Sequence, residues 1–287
     1  MKIECPRCHA QKTDIKKNGF FKRKSDSKKI RKYKCKACSK QFSNATFSTC
    51  YKQKKRRVNP LVKKLICSGV SMRRIALVFG LNRKTVKRKV QFLANQSRLK
   101  QEIWLQKEPQ FDFVQFDDLE SFEHTKCKPV TVTIFVDPLK RKILGHKVAR
   151  IGAKGKLAAV SRKKYGKRKN ESFQKREDLF KELKPFIAPE ALIQSDMNVH
   201  YIKPIKKHFP EAKHRAFKGR RGCVTGQGEM KSGGFDPLFC LNQSFAMIRD
   251  NLKRLTRQTW CTTKKLEALD DQLALYTDFH NNVLTGT

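Results

Sequence analysis

Acidic side chains are scarce in this sequence. Its 287 residues carry 25 Asp and Glu against 66 Lys and Arg, a formal net charge of +41. That excess is far beyond what solubility needs and points to a polyanionic partner. Long apolar runs are missing as well. None approaches the roughly 20 residues needed to span a bilayer, so no membrane association is expected. The opening Met1-Lys2-Ile3-Glu4-Cys5 has no signal-peptide core, which leads to a cytoplasmic, nucleoid-associated expectation. Nor is there the aromatic stacking platform that common RNA modules use. The length allows one sizeable α/β domain with one or two small modules.

Cysteine falls into two groups. Cys50, Cys67, Cys127, Cys223, Cys240 and Cys261 are scattered and suit the role of small buried hydrophobes. Cys5-Pro6-Arg7-Cys8 and Cys35-Lys36-Ala37-Cys38 instead form two CxxC knuckles separated by residues 9–34. Four thiolates at that spacing suit tetrahedral zinc, and residues 1–48 hold too few apolar side chains to fold without it. A disulfide pair is disfavoured in a reducing compartment. His9 is an available substitute ligand that the full cysteine set makes unnecessary.

Residues 50–57 are a basic connector, after which helix signals begin. Asn59-Pro60 opens a first helix with Leu61, Val62, Leu65 and Ile66 facing inward, and Gly69 ends it. Ser71 caps a second helix carrying Ile75, Ala76 and Phe79, and Gly80-Leu81 makes a tight turn. Asn82 caps a third with Val86, Val90 and Leu93 inward. Helix, short turn, helix is the helix-turn-helix pattern, here placed at 58–94. Arg83, Lys84, Lys87 and Arg88 on the outward face of the third helix suit phosphates and guanine edges. Residues 94–110 lose the pattern and are expected to be a linker.

A larger domain is expected over 110–287. Phe111, Phe113, Val114 and Phe116 define a buried strand that closes on two adjacent carboxylates, Asp117 and Asp118. Strand alternation lets only one of them face a site. Residues 191–196 repeat the design, a short apolar strand tipped by Asp196. Two strands delivering carboxylates to one sheet edge is how a two-metal phosphoryl-transfer site is built, with hard divalent cations as the natural ligands. Further strands are expected over 130–136, 143–148 and 212–217, and a helix through Phe173, Leu179, Phe180, Leu183 and Phe186. The basic stretch 154–169 reads as an exposed loop. Three antiparallel strands, helix, strand, helix, strand is the order of a ribonuclease-H-like mixed sheet. A glycine-rich loop follows at 219–234, then a long helix with Leu238, Leu241, Phe245, Ile248, Leu252 and Leu255 on one face. A final helix starts near residue 263.

In this order, the knuckles, the helix-turn-helix, the strand-borne Asp117 and Asp196, and the late block Asn251-Leu252-Lys253-Arg254-Leu255-Thr256-Arg257 resemble DDE-type insertion-sequence transposases. The resemblance is to those with an N-terminal zinc ribbon and helix-turn-helix. It implies binding of double-stranded DNA at element ends and at a target, by a homodimer or larger assembly. It also implies strand cleavage and transfer with magnesium, or manganese, held by three acidic residues. Asp117 matches the first acid and Asp196 the second, while Lys126 and His200 sit where auxiliary polar residues are common. The third acid should lie near the start of the long helix, where this sequence has Asn242. At 100° per residue Asn242 flanks the apolar stripe centred near Phe245, whereas Asp250 points away from it. Glu229, Asp236 and Asp250 remain alternatives. A non-catalytic DNA-binding protein is the competing functional class, and it leaves Asp117 and Asp196 without a purpose.

Overall fold

The computed structural model describes residues 3–24, 27–51, 53–218, 236–256 and 262–285. Two compact units divide the chain, Met1–Pro60 and Leu61–Thr287. In the first, β1 (Ile15–Lys22), β2 (Lys29–Cys35) and β3 (Gln41–Ser43) form an antiparallel sheet in that order. Gly19, at φ +67°, takes the irregular position between Lys17 and Phe20 where β1 bulges. The apolar side chains buried among the described residues of this unit are Cys5, Tyr33, Cys35 and Phe42. Phe47 meets Phe42 edge-on at 5.8 Å. So small a core does not hold a sheet together without help.

α1 (Asn59–Ile66) begins at the end of the first unit, and the rest of it, α2 (Met72–Val78) and α3 (Arg83–Lys107) belong to the second. The expected caps are in place: Ser71 Oγ accepts from the Arg74 N–H at 3.3 Å, and Asn82 Oδ1 from the Lys84 N–H at 2.8 Å. Leu61, expected inside, is 50% exposed, and Val62 and Ile66 carry the inner face of α1. Gly69, at φ +74°, donates its N–H to the Asn251 carbonyl at 2.7 Å.

The linker expected over 94–110 is instead helix as far as Lys107. The apolar stripe of Val86, Val90 and Leu93 continues through Ser97 and Gln101, which bond to partners where an apolar residue would pack. Ser97 Oγ donates to Asp278 at 2.8 Å, and Arg98 pairs with Asp270 and Asp271 at 2.6 and 2.9 Å. The Gln101 amide donates to the carbonyls of Ile143 and Leu144, each at 3.0 Å.

Five strands follow: β4 (Phe111–Phe122), β5 (Pro129–Asp137), β6 (Lys142–Arg150), β7 (Ile187–Asp196) and β8 (Lys213–Phe217). They form one mixed sheet in the order β6-β5-β4-β7-β8, antiparallel across the first three and parallel across the last three. α4 (Leu157–Tyr165) lies inside the basic stretch that had read as a loop. It is fastened by Ser161 Oγ donating to the Cys127 carbonyl at 2.7 Å, and Arg168, beyond its end, pairs with Glu123 at 2.9 Å. α5 (Ser172–Leu183) and α6 (Ile202–His208) cover one face of the sheet. Their core is aromatic: Phe116 stacks on Phe135 at 4.7 Å, and Phe180 meets both rings edge-on at 5.1 Å. α7 (Phe239–Asn251) lies on the opposite face, and α8 (Leu266–Phe279) packs along α3 and β6.

α7 is shorter than its apolar pattern. It stops at Asn251, and Leu252 and Leu255 are buried from the turn beyond it. The glycine-rich loop, Glu229, Arg257, Cys223 and Cys261 lie outside the described residues. Cys67, Cys127 and Cys240 are buried, and Cys50 is half-buried. Among the described residues no helix is long and apolar enough to cross a membrane.

Candidate functional site

The two knuckles of the first unit are built alike. His9 and Ser39, each directly after the second cysteine of its knuckle, adopt φ +56° and +57°. The Cys5 N–H bonds to the Ala10 carbonyl at 2.9 Å, and the Cys35 N–H to the Lys40 carbonyl at 3.0 Å. These turns bring Cys5, Cys8, Cys35 and Cys38 together with all four Sγ atoms within 4.8 Å of one another. Cys5 and Cys38 Sγ are 3.5 Å apart, and Cys8 and Cys35 Sγ 3.6 Å. A disulfide needs about 2.05 Å, whereas four sulfurs about 2.3 Å from one tetrahedral ion sit roughly 3.8 Å apart. The set can therefore hold zinc, and His9 is not part of it.

The carboxylates lie at the centre of the mixed sheet. Gln115 and Gln194 are register partners across the parallel pair β4 and β7, and the Gln115 amide donates to Gln194 Oε1 at 2.8 Å. Two residues further along each strand stand Asp117 and Asp196, on the same side as these glutamines by strand alternation. β7 ends at Asp196, but β4 does not end at Asp118. It continues, paired with β5 alone, to Phe122. The acids mark the place where the sheet narrows, not the end of their strand.

Asp117 and Asp118 both line one cavity of 490 Å³, together with Asp196, Arg176, His200 and Tyr201. The expectation that alternation admits only one of the two is thus corrected: both residues lie at the cavity wall. Their engagements differ. Asp118 Oδ1 accepts from Thr133 Oγ1 and Oδ2 from Arg176 Nη2, each at 2.5 Å. Asp117 Oδ1 accepts from the Asp118 N–H at 2.7 Å and from the Tyr201 hydroxyl at 2.9 Å. Asp196 Oδ1 accepts from the Asn198 N–H at 3.1 Å. Among the described residues, the second oxygen of each has no hydrogen bond.

Burial, and then the Asp196 charge, push Asp117 up to about 7, against the pull of the Asp118 N–H and the Tyr201 hydroxyl. Asp196 is raised too, first by burial and then by Asp118, with the Asn198 N–H and Arg176 opposing. Burial and the surrounding carboxylates raise Tyr201, which stays a neutral donor. Two acids that resist ionising beside each other, each with an oxygen to spare, fit a divalent cation, whose charge reverses that penalty. Among the described residues, the cysteines are nevertheless the only group of three or more such ligands drawn within 4.8 Å.

Asn242 is exposed on the first turn of α7, and its amide donates to Asp236 Oδ2 at 2.9 Å. The same end of α7 is held over Gln115, which donates to the Pro237 carbonyl at 2.7 Å and accepts from the Leu241 N–H at 3.3 Å. Asp250 is exposed further along the helix. Lys126 lies in the turn between β4 and β5, while His200 reaches the cavity. Arg83, Lys84, Lys87 and Arg88 are exposed on the first turns of α3. Sequence reasoning missed Tyr201, Arg176 and Thr133. For Tyr201 a signal existed, a tyrosine shortly after the strand-borne Asp196; Arg176 had none.

No family model matches the chain, and no curated protein does. Among solved structures, the Mos1 mariner paired end complex with Mn is similar at 9% identity, over 80% of this chain and 76% of that one, with a TM-score of 0.27. The Mos1 strand transfer complex is similar at 7% identity, over 82% and 80%, with a TM-score of 0.26. The catalytic domain of Mos1 mariner transposase is similar at 10% identity, over 67% and 94%, with a TM-score of 0.23. None of these values reaches the level of a shared fold.

Proposed function

We propose that this chain is a DDE-type transposase that binds element ends and carries out metal-dependent DNA strand cleavage and transfer. One observation carries the reading. Asp117 and Asp196 stand abreast at the narrowing of a mixed sheet, each with a raised pKa and one oxygen without a hydrogen bond among the described residues, in a chain of net charge +41. The sheet order, three antiparallel strands followed by two parallel ones, supports a ribonuclease-H-like assignment for residues 110–287.

Magnesium or manganese held by Asp117 and Asp196 would supply stabilising charge to the attacking and leaving oxygens of a phosphodiester. The chain's own groups do the rest. Tyr201 holds Asp117 in place as a neutral donor, and Lys154, Asn170 and His200 at the cavity wall offer donors to the DNA backbone. Asn242 is the third ligand in this reading, on a helix rather than a loop. Residues 1–48 are a zinc ribbon held by Cys5, Cys8, Cys35 and Cys38. The helices within 58–94 present Arg83, Lys84, Lys87 and Arg88 to double-stranded DNA, and the working form is a homodimer or larger on DNA at the nucleoid.

The test is strand cleavage of end DNA in magnesium. Asp117→Asn and Asp196→Asn should each abolish cleavage while leaving binding to end DNA nearly intact. Full cleavage by both variants would overturn the reading. A parent protein that binds end DNA and never cleaves would leave the non-catalytic DNA-binding class in its place.

A further inference from the structure

We propose that Tyr201 and Arg176 are positioning residues that give the adjacent Asp117 and Asp118 different tasks. Asp118 is tied into the fold, and Asp117 is aimed at a divalent cation. The inference rests on reading Asp117 and Asp196 as the cation-binding pair.

Both oxygens of Asp118 are taken, one by Thr133 on β5 and one by Arg176 on α5. Arg176 is 3% exposed, so this ion pair is shielded from water. A buried guanidinium whose partner is removed is costly, which makes the pair a fixture and not an exchangeable contact. Asp118 is therefore poorly placed to release its oxygens to a metal.

Asp117 is held differently. Tyr201 is fully buried, and its ring packs against Phe116, with centroids 4.8 Å apart, and against Arg176, whose Cζ sits 4.6 Å from the ring centroid. Burial and these two contacts restrict where the phenol points. Its hydroxyl meets Asp117 Oδ1 and leaves Oδ2 without a hydrogen bond among the described residues. A carboxylate with one oxygen tethered and the other open is the arrangement that partners of metal ligands impose elsewhere. Tyr201 suits the task because it is neutral: a cationic side chain on Asp117 would compete with the metal, and Arg176 has its charge balanced by Asp118.

The experiment is a manganese titration of the zinc-loaded full chain without DNA, following free Mn2+ by electron paramagnetic resonance. Asp117→Asn should abolish binding. Tyr201→Phe, which keeps the ring, should weaken binding about 10–100-fold with the melting temperature little changed. Asp118→Asn should retain more affinity than Asp117→Asn. Parent-like Mn2+ affinity in Tyr201→Phe, alongside loss in Asp117→Asn, overturns the positioning role. Equal losses in Asp118→Asn and Asp117→Asn overturn the division of tasks. Undiminished binding in Asp117→Asn sinks the underlying site reading instead.

Discussion

The Gln115 side chain donates to Gln194 across two parallel strands at 2.8 Å, two residues short of Asp117 and Asp196. The same amide group reaches the Pro237 carbonyl and accepts from the Leu241 N–H, so one buried side chain ties both acid-bearing strands to the start of α7. Register between the acids is thus set by a bonded pair, and the helix carrying Asn242 is anchored to it.

That anchorage bears on the third ligand. Asn242→Ala should reduce cleavage severely, and Glu229→Ala should matter little. Cleavage of end DNA by the two variants checks this. A dead Glu229→Ala beside an active Asn242→Ala would overturn the assignment. Loss in Asp236→Ala with Asn242→Ala active would move the ligand to the carboxylate that Asn242 now holds.

Zinc should be present at one equivalent per chain, bound by Cys5, Cys8, Cys35 and Cys38. Elemental analysis of the purified protein measures it. Cys35→Ser should lower the content below half an equivalent and unfold the three-stranded sheet, because so few apolar side chains are buried there. A metal-free parent with that sheet intact would refute the ligand set.

For DNA binding, Arg83→Ala and Lys87→Ala should each weaken affinity. Where the lost contact is to phosphate, the slope of log affinity against log salt should fall by about one unit. Binding measured across a salt series distinguishes the outcomes, and unchanged affinity in both variants would move recognition off α3.

Acid should loosen the contact between α3 and α8. Burial acts to raise the pKa of Asp270, but His146 and Arg98 outweigh it and hold the carboxyl below its usual range. A depressed acid contributes stability above its unfolded pKa, about 3.9, and loses it as pH falls through the lower folded value. The side chain is 35% exposed, so screening limits the contribution to about 1 kcal/mol. Asp270→Asn should remove that contribution at pH 7, and the difference from the parent should shrink steadily as pH falls below about 3.9, as followed by denaturant unfolding at each pH.

Parts of this structure were legible in the sequence for definite reasons. Cysteine knuckles announce themselves because a ligand set needs fixed spacing. The strands showed because β-branched and aromatic residues crowd positions such as Val130, Val132, Ile134 and Phe135. The second half of α3 was hidden because Ser97 and Gln101 occupy its inner stripe and are satisfied by Asp278 and the edge of β6, partners that lie far away in sequence. The true extent of β4 was hidden because Asp117 and Asp118 look like a strand end; only pairing with β5 shows that the strand continues. Arg176 could not be singled out among 66 cationic residues. Its role depends on burial against Tyr201, which composition does not encode.

The most direct test of the central claim is to locate manganese by anomalous scattering in crystals of the protein soaked in Mn2+. The expected result is an anomalous peak within about 2.5 Å of oxygens from both Asp117 and Asp196, since paired ions in such sites lie roughly 3.5–4 Å apart. A peak held by Asp118 without Asp117, or no peak at this cavity while the two carboxylates stay more than about 8 Å apart, would contradict a shared metal site.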